Sequence, residues 1–181
     1  MHCINTIQQN GDHWFYTPSA GVRDLKTLIE VYHDTVGSNC GALEMDFAPD
    51  KTGAIASDQA ARYAEFGAWI GTCYGMDIGN TSMVGMNSGK AQLDLKITDS
   101  GKQFDRVMVQ EDLINGQRVR AFDILVNGNK VVSSTAVGYK HILLLKSTYK
   151  TPATVSFKLD GYVGDSVNIT NFAVFAPCPS Q

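Results

Sequence analysis

Phe104–Asn127, FDRVMVQEDLINGQRVRAFDILVN, decides how this chain reads. Phe104-Asp105-Arg106 opens a strand and Gln110-Glu111-Asp112 closes it. Asn115-Gly116-Gln117-Arg118-Val119 then turns the chain into a second strand. Asn-Gly favours tight hairpins because both residues tolerate positive φ. Glu111 and Asp112, next to that turn, are placed to accept from Arg118 or Arg120 across the hairpin, a structural use of charge.

The same period-two pattern extends on both sides. Leu93, Leu95 and Ile97 alternate with Asp94, Lys96 and Thr98, and Val155, Phe157 and Leu159 alternate with Ser156, Lys158 and Asp160. Turn signals recur at Asp99-Ser100-Gly101, Asn115-Gly116, Asn127-Gly128 and Asp160-Gly161. Short strands at this spacing predict an antiparallel β-sandwich. Its start falls near Cys73 to Asn80.

Before that boundary the period is helical. Leu25, Leu28, Ile29, Tyr32 and Val36 form one apolar stripe over Asp24–Val36, with Gly37 as a stop. Ala42–Phe47 predicts a short strand in which Glu44 and Asp46 point the same way. Pro49 to Gly53 is turn material. Ser57 is placed to cap a second helix whose face carries Tyr63, Phe66, Gly67 and Ile70 and which ends at Gly71. One strand with two helices is about one unit of an eightfold barrel, which closes only when all eight strands are present.

The Phe104–Asn127 stretch resembles the C-terminal sandwich of α-L-fucosidases (glycoside hydrolase family 29). Val36–Ile70, VGSNCGALEMDFAPDKTGAIASDQAARYAEFGAWI, resembles the last strand and last helix of their catalytic barrel. The resemblance implies a mainly β chain with a small α/β front: residues 1–72 as the end of a (β/α)8-type barrel, 73–181 as an antiparallel sandwich of galactose-binding or jelly-roll type. It also implies a retaining glycosidase acting on α-linked L-fucose in fucosylated glycans, which needs two carboxylates about 5 Å apart. In the family both come from earlier barrel strands, so no catalytic residue is assigned here and the isolated chain is expected to hydrolyse nothing. Its partner is then the remainder of a catalytic barrel. His13-Trp14-Phe15-Tyr16 resembles the family's Gly-Trp-Phe-Tyr-His segment, where an aromatic ring packs on fucose. Trp14 is accordingly either a sugar platform or a core residue. Glu44 and Asp46, at the end of what the resemblance makes a barrel strand, are either substrate contacts, a solvated face, or an ion pair with Arg62 or Lys51. The rival is a stand-alone carbohydrate-binding or interaction module without catalysis, or a sandwich that supports contacts in a homo-oligomer.

At 181 residues the chain is long enough to bury a core without disulfides. A formal net charge of −3, with no basic clusters, argues against nucleic acid or an anionic membrane as partner. No apolar run approaches the ~20 residues of a membrane span, and Met1-His2-Cys3 does not open a signal peptide. Cys3, Cys40, Cys73 and Cys178 lack zinc spacing. They read as buried thiols or, for Cys73 before the first sandwich strand and Cys178 after the last, as a disulfide. His2, His13, His33 and His141 suggest no metal site, with His33 among helix surface residues, and no cofactor motif appears. Asn80-Thr81-Ser82 and Asn168-Ile169-Thr170 are N-glycosylation sequons. Family resemblance implies an extracellular or lysosomal-type compartment.

Overall fold

The structure, a computed structural model, describes residues 2–10, 14–81 and 83–179. They form two units, one running to Gly75 and one from Met76 to Pro179.

The first unit holds two strands, β1 (His2–Thr6) and β2 (Ala42–Asp46), and two helices, α1 (Leu25–Thr35) and α2 (Ser57–Tyr74). β1 and β2 pair in parallel, with Ile4 opposite Glu44 and Thr6 opposite Asp46. The expectation of a lone strand is thereby corrected: a parallel neighbour reached through a helical crossover makes a βαβ unit. Asp24 starts α1 by accepting from the Thr27 amide at 2.7 Å, and this bond holds its carboxyl below the usual range. Leu28, Tyr32 and Val36 of the apolar stripe are buried.

α2 departs from its sequence reading at both ends. Ala56 occupies the cap position without a side-chain bond, and Ser57 is already helical. The helix continues past Gly71 to Tyr74, with the Gly75 amide bonded to the Gly71 carbonyl at 3.0 Å. Buried Trp69 and Cys73 account for the extension, since tertiary packing outweighs the helix penalty of one glycine. Tyr32 sits between the helices, with ring centroids 6.2 Å from Phe66 and 6.1 Å from Trp69. His33 lies in this cluster rather than on an open surface: its Nε2 is 2.5 Å from the Tyr74 hydroxyl. Among the described residues no helix is long and apolar enough to cross a membrane.

The second unit is mostly strand: β3 (Gly79–Thr81), β4 (Val84–Met86), β5 (Gln92–Ile97), β6 (Gln103–Glu111), β7 (Val119–Val126), β8 (Asn129–Ser134), β9 (His141–Lys150), β10 (Ala153–Tyr162) and β11 (Val167–Phe175). One antiparallel sheet runs β5-β10-β7-β8. The other runs β3-β11-β6-β9, with β4 also on β11. The core lies between them. Fully buried Phe104, Phe122, Phe157 and Phe172 fill it, with Phe122 and Phe157 stacked at 4.9 Å and Phe157 edge-on to Phe172 at 6.2 Å. Each such burial contributes about 1.5–3 kcal/mol.

Leu93, Leu95 and Ile97, and Val155, Phe157 and Leu159, all point into this core as their alternation requires. The turns are more varied. Asn127-Gly128 forms a two-residue hairpin between β7 and β8, with φ of 51° and 80°. Phe104–Asn127 is not a hairpin, because β6 and β7 belong to opposite sheets and residues 112–118 cross between them. Asp160-Gly161 is no turn either; the β10 register on β7 shifts on either side of Gly161, a bulge within the strand.

The Glu111 side chain closes that crossover. It is 4% exposed. Its Oε1 accepts from the backbone amides of Arg118 at 2.6 Å and Val119 at 3.0 Å, and its Oε2 from Gly138 at 3.3 Å. The expected guanidinium partners are elsewhere: Arg118 Nη1 donates to the Ser166 carbonyl and Arg120 Nη1 to the Val119 carbonyl. Asp112 accepts from the Ile114 amide within the same loop.

Candidate functional site

In a βαβ unit, ligands meet the C-terminal ends of the parallel strands and the loops that leave them. Here those ends are Thr6 of β1 and Asp46 of β2, paired with each other. Leu43 and Met45 of β2 line a cavity of about 190 Å³ with Tyr32, Phe66 and Ile70, so this face meets the helices. Glu44 and Asp46 therefore occupy the opposite face, beside Ile4 and Thr6. Ile4 is 58% exposed and Glu44 is exposed as well.

Asp46 is half-buried, and its Oδ2 is enclosed with no hydrogen-bond partner among the described residues. A buried carboxylate oxygen without a donor is costly, so Asp46 Oδ2 has room for one more hydrogen-bond donor. Arg62, one proposed counter-ion, pairs instead with Glu65 at 2.6 Å.

Trp14 and Phe15 lie in the loop that leaves β1, and neither is core: Trp14 is 50% exposed and Phe15 86%. His13 lies outside the described residues. The structure thus places Trp14, Glu44 and Asp46 in one unit, on one loop and one strand face.

Two features of this unit were not read from the sequence. Cys3 and Cys40 form a disulfide with Cα atoms 6.0 Å apart, tying β1 to the residues just before β2. The thiol reading is corrected for both. The visible signal was that each cysteine stands at or just before a strand start, which becomes informative only once β1 is recognised. The other missed residue is Gln8, fully buried just beyond β1 and bonded to the Trp14 loop.

In the second unit both sequon asparagines are exposed. Asn80 donates to both oxygens of Asp77 at 3.0 and 2.9 Å, and Asn168 lies on β11 opposite Gly85. Ser82 of the first sequon lies outside the described residues. Asp123, Asp160, Ser133, Ser134 and Thr135 line a shallow concavity together with Ala121 and Phe122. The Ser133 hydroxyl, 2.5 Å from Asp123 Oδ1, holds that carboxyl below its usual range. His141 Nδ1 donates to the Ala136 carbonyl, 2.7 Å away, and burial pushes its imidazole down. Among the described residues no group of three or more His, Cys, Asp or Glu gathers that could hold a metal ion.

No family profile matches the chain, and no curated protein does. Solved structures do. One designated an α-L-fucosidase from Bacteroides thetaiotaomicron aligns with a TM-score of 0.82 at 24% identity, over 96% of this chain and 40% of that one. Another from Bacteroides ovatus gives 0.85 at 24% identity, over 97% of this chain and 30% of that one. A Ruminococcus gnavus family 29 fucosidase in complex with fucose gives 0.78 at 17% identity, over 94% of this chain and 40% of that one. The chain spans well under half the length of these structures, and over that span it has the fold of the α-L-fucosidases of glycoside hydrolase family 29.

Proposed function

We propose that this chain is the C-terminal portion of a retaining α-L-fucosidase that removes α-linked L-fucose from glycans. Residues 1–72 would be the end of the catalytic barrel and 73–181 its β-sandwich. The observation that carries the reading is the fold match to fucosidases along nearly the whole chain. The first unit supports it. Two parallel strands backed by helices on one face leave Ile4 and Glu44 exposed on the other, as barrel strands do when their neighbours are elsewhere. The catalytic carboxylate pair is assigned to the remainder of the barrel, which is also the principal protein partner.

Within this chain Trp14 is the platform for the apolar face of fucose, Asp46 accepts a hydroxyl, and Glu44 is a further polar contact. The Cys3–Cys40 disulfide favours an oxidising compartment, extracellular or lysosomal-type, as do surface asparagines at two sequons. Cys73, before the first sandwich strand, and Cys178, after the last, are proposed as a second pair, as their order in the sequence suggests. A second reading, a carbohydrate-binding or interaction module without catalysis, is favoured by the self-contained aromatic core of the second unit.

Saturation-transfer NMR with L-fucose tests the site. The expected result is weak, millimolar-range saturable contact that Trp14→Ala removes and Asp46→Ala weakens. Absence of saturable contact, or contact indifferent to Trp14→Ala, takes Trp14 out of the site.

A further inference from the structure

We infer that Gln8 is the positioning residue of the aromatic loop, holding Trp14 in the orientation in which it meets a sugar; this rests on the reading of Trp14 given above. Gln8 is polar yet has no exposed surface, and a buried amide is stable only where its donor and acceptor are matched. Its carboxamide is matched by the loop itself. Nε2 donates to the Phe15 carbonyl at 3.2 Å, and Oε1 accepts from the Thr17 amide at 3.3 Å. The side chain therefore grips the loop backbone at two points just after Trp14.

The backbone of Gln8 is fixed as well. Its amide donates to Thr6 Oγ1 at 3.2 Å, and its carbonyl accepts from Arg23 Nε at 3.1 Å. Both ends of the loop are also tied to the end of β1, through Gln9 N to the Gly21 carbonyl and Arg23 N to the Ile7 carbonyl. Gln8 thus joins β1, the entry to α1 and the middle of the loop. An exposed indole on a free loop would collapse onto nearby apolar surface or sample many orientations. Fixing the backbone beside it removes that ordering cost from ligand binding. Only a carboxamide does this here: methionine fills the space but makes neither bond, and an ionised carboxylate accepts from Thr17 but cannot donate to Phe15.

The chain has two tryptophans, Trp14 and Trp69. Labelling with 5-fluorotryptophan gives one resonance for the loop and one for the buried helix pair, the latter an internal report on folding. In Gln8→Met the Trp14 resonance is expected to move toward its unfolded position while that of Trp69 stays. A Trp14 resonance that stays put overturns the inference. If both resonances move, Gln8→Glu decides. On acidification its side chain becomes protonated and regains the bond to the Phe15 carbonyl, so Trp14 returns toward its wild-type position; no return overturns the inference. L-fucose titration then reads the consequence: contact about tenfold weaker in Gln8→Met than in the wild type, and unchanged contact argues against positioning. A wild-type chain that ignores L-fucose removes the sugar reading of Trp14, while the fluorine spectra still decide whether Gln8 positions the loop.

Discussion

Replacing Glu111 with alanine is expected to lower the stability of the strand-rich unit by about 3–5 kcal/mol, because two buried amides and one partly buried amide lose their shared acceptor. The carboxylate bonds Arg118, Val119 and Gly138, which belong to the β6–β7 crossover, the first residue of β7 and the loop before β9. One side chain thus holds segments of both sheets, alongside the backbone bonds from the Glu111 amide to the Gly138 carbonyl and from the Asp112 amide to the Asn168 carbonyl. Urea denaturation followed by far-UV circular dichroism measures the loss. With slopes of about 1–3 kcal/mol per molar urea, the midpoint should fall by at least about 1 M. Glu111→Gln keeps an acceptor for Arg118 and Val119 but turns a donor toward Gly138, so it should recover part of the loss. A loss below about 1 kcal/mol in the alanine variant would mean that the crossover stands without this side chain.

The second large effect concerns the first unit. Cys3 and Cys40 close a separation of 37 residues, and a cross-link over that length stabilises by about 3–4 kcal/mol through the entropy of the unfolded chain. A two-stranded sheet with two helices has a small core, the Tyr32, Phe66 and Trp69 cluster with Ile7, Leu28 and Val36, so this share is large. Cys3→Ser combined with Cys40→Ser should shift the urea transition followed by tryptophan fluorescence, which reports this unit because Trp14 and Trp69 both lie in it. Equal midpoints for the variant and the oxidised wild type would show that the bond restrains nothing the native contacts do not already restrain.

What the sequence made legible was periodicity. The α1 stripe and the alternation of β5 and β10 appear in the structure because burial imposes periods of 3.6 and 2 on residue choice. β2 was legible too, as was the Asn127-Gly128 hairpin, where φ itself demands those residues. Pairing was not legible. Asn115-Gly116 looks locally like a hairpin, but whether β6 and β7 share a sheet depends on partners far along the chain, β11 and β9 for one and β10 and β8 for the other. β1 escaped notice because a short parallel strand carries few residues and no hairpin turn to announce it. Without β1, neither the Cys3–Cys40 bond nor the placement of Gln8 can be seen. Trp14, Glu44 and Asp46 were singled out as candidates from family-like segments. The clamp beneath Trp14 was not, since a lone glutamine in sequence gives no sign of burial.

The most direct test of the functional account is hydrolysis of an aryl α-L-fucoside by the purified chain. With the catalytic carboxylate pair assigned to the remainder of the barrel, the expected result is release of the aryl group at no more than the buffer rate. Turnover that persists through purification and is lost in Glu44→Gln or Asp46→Asn would contradict the account, because it would place the reacting carboxylates on β2 of this chain.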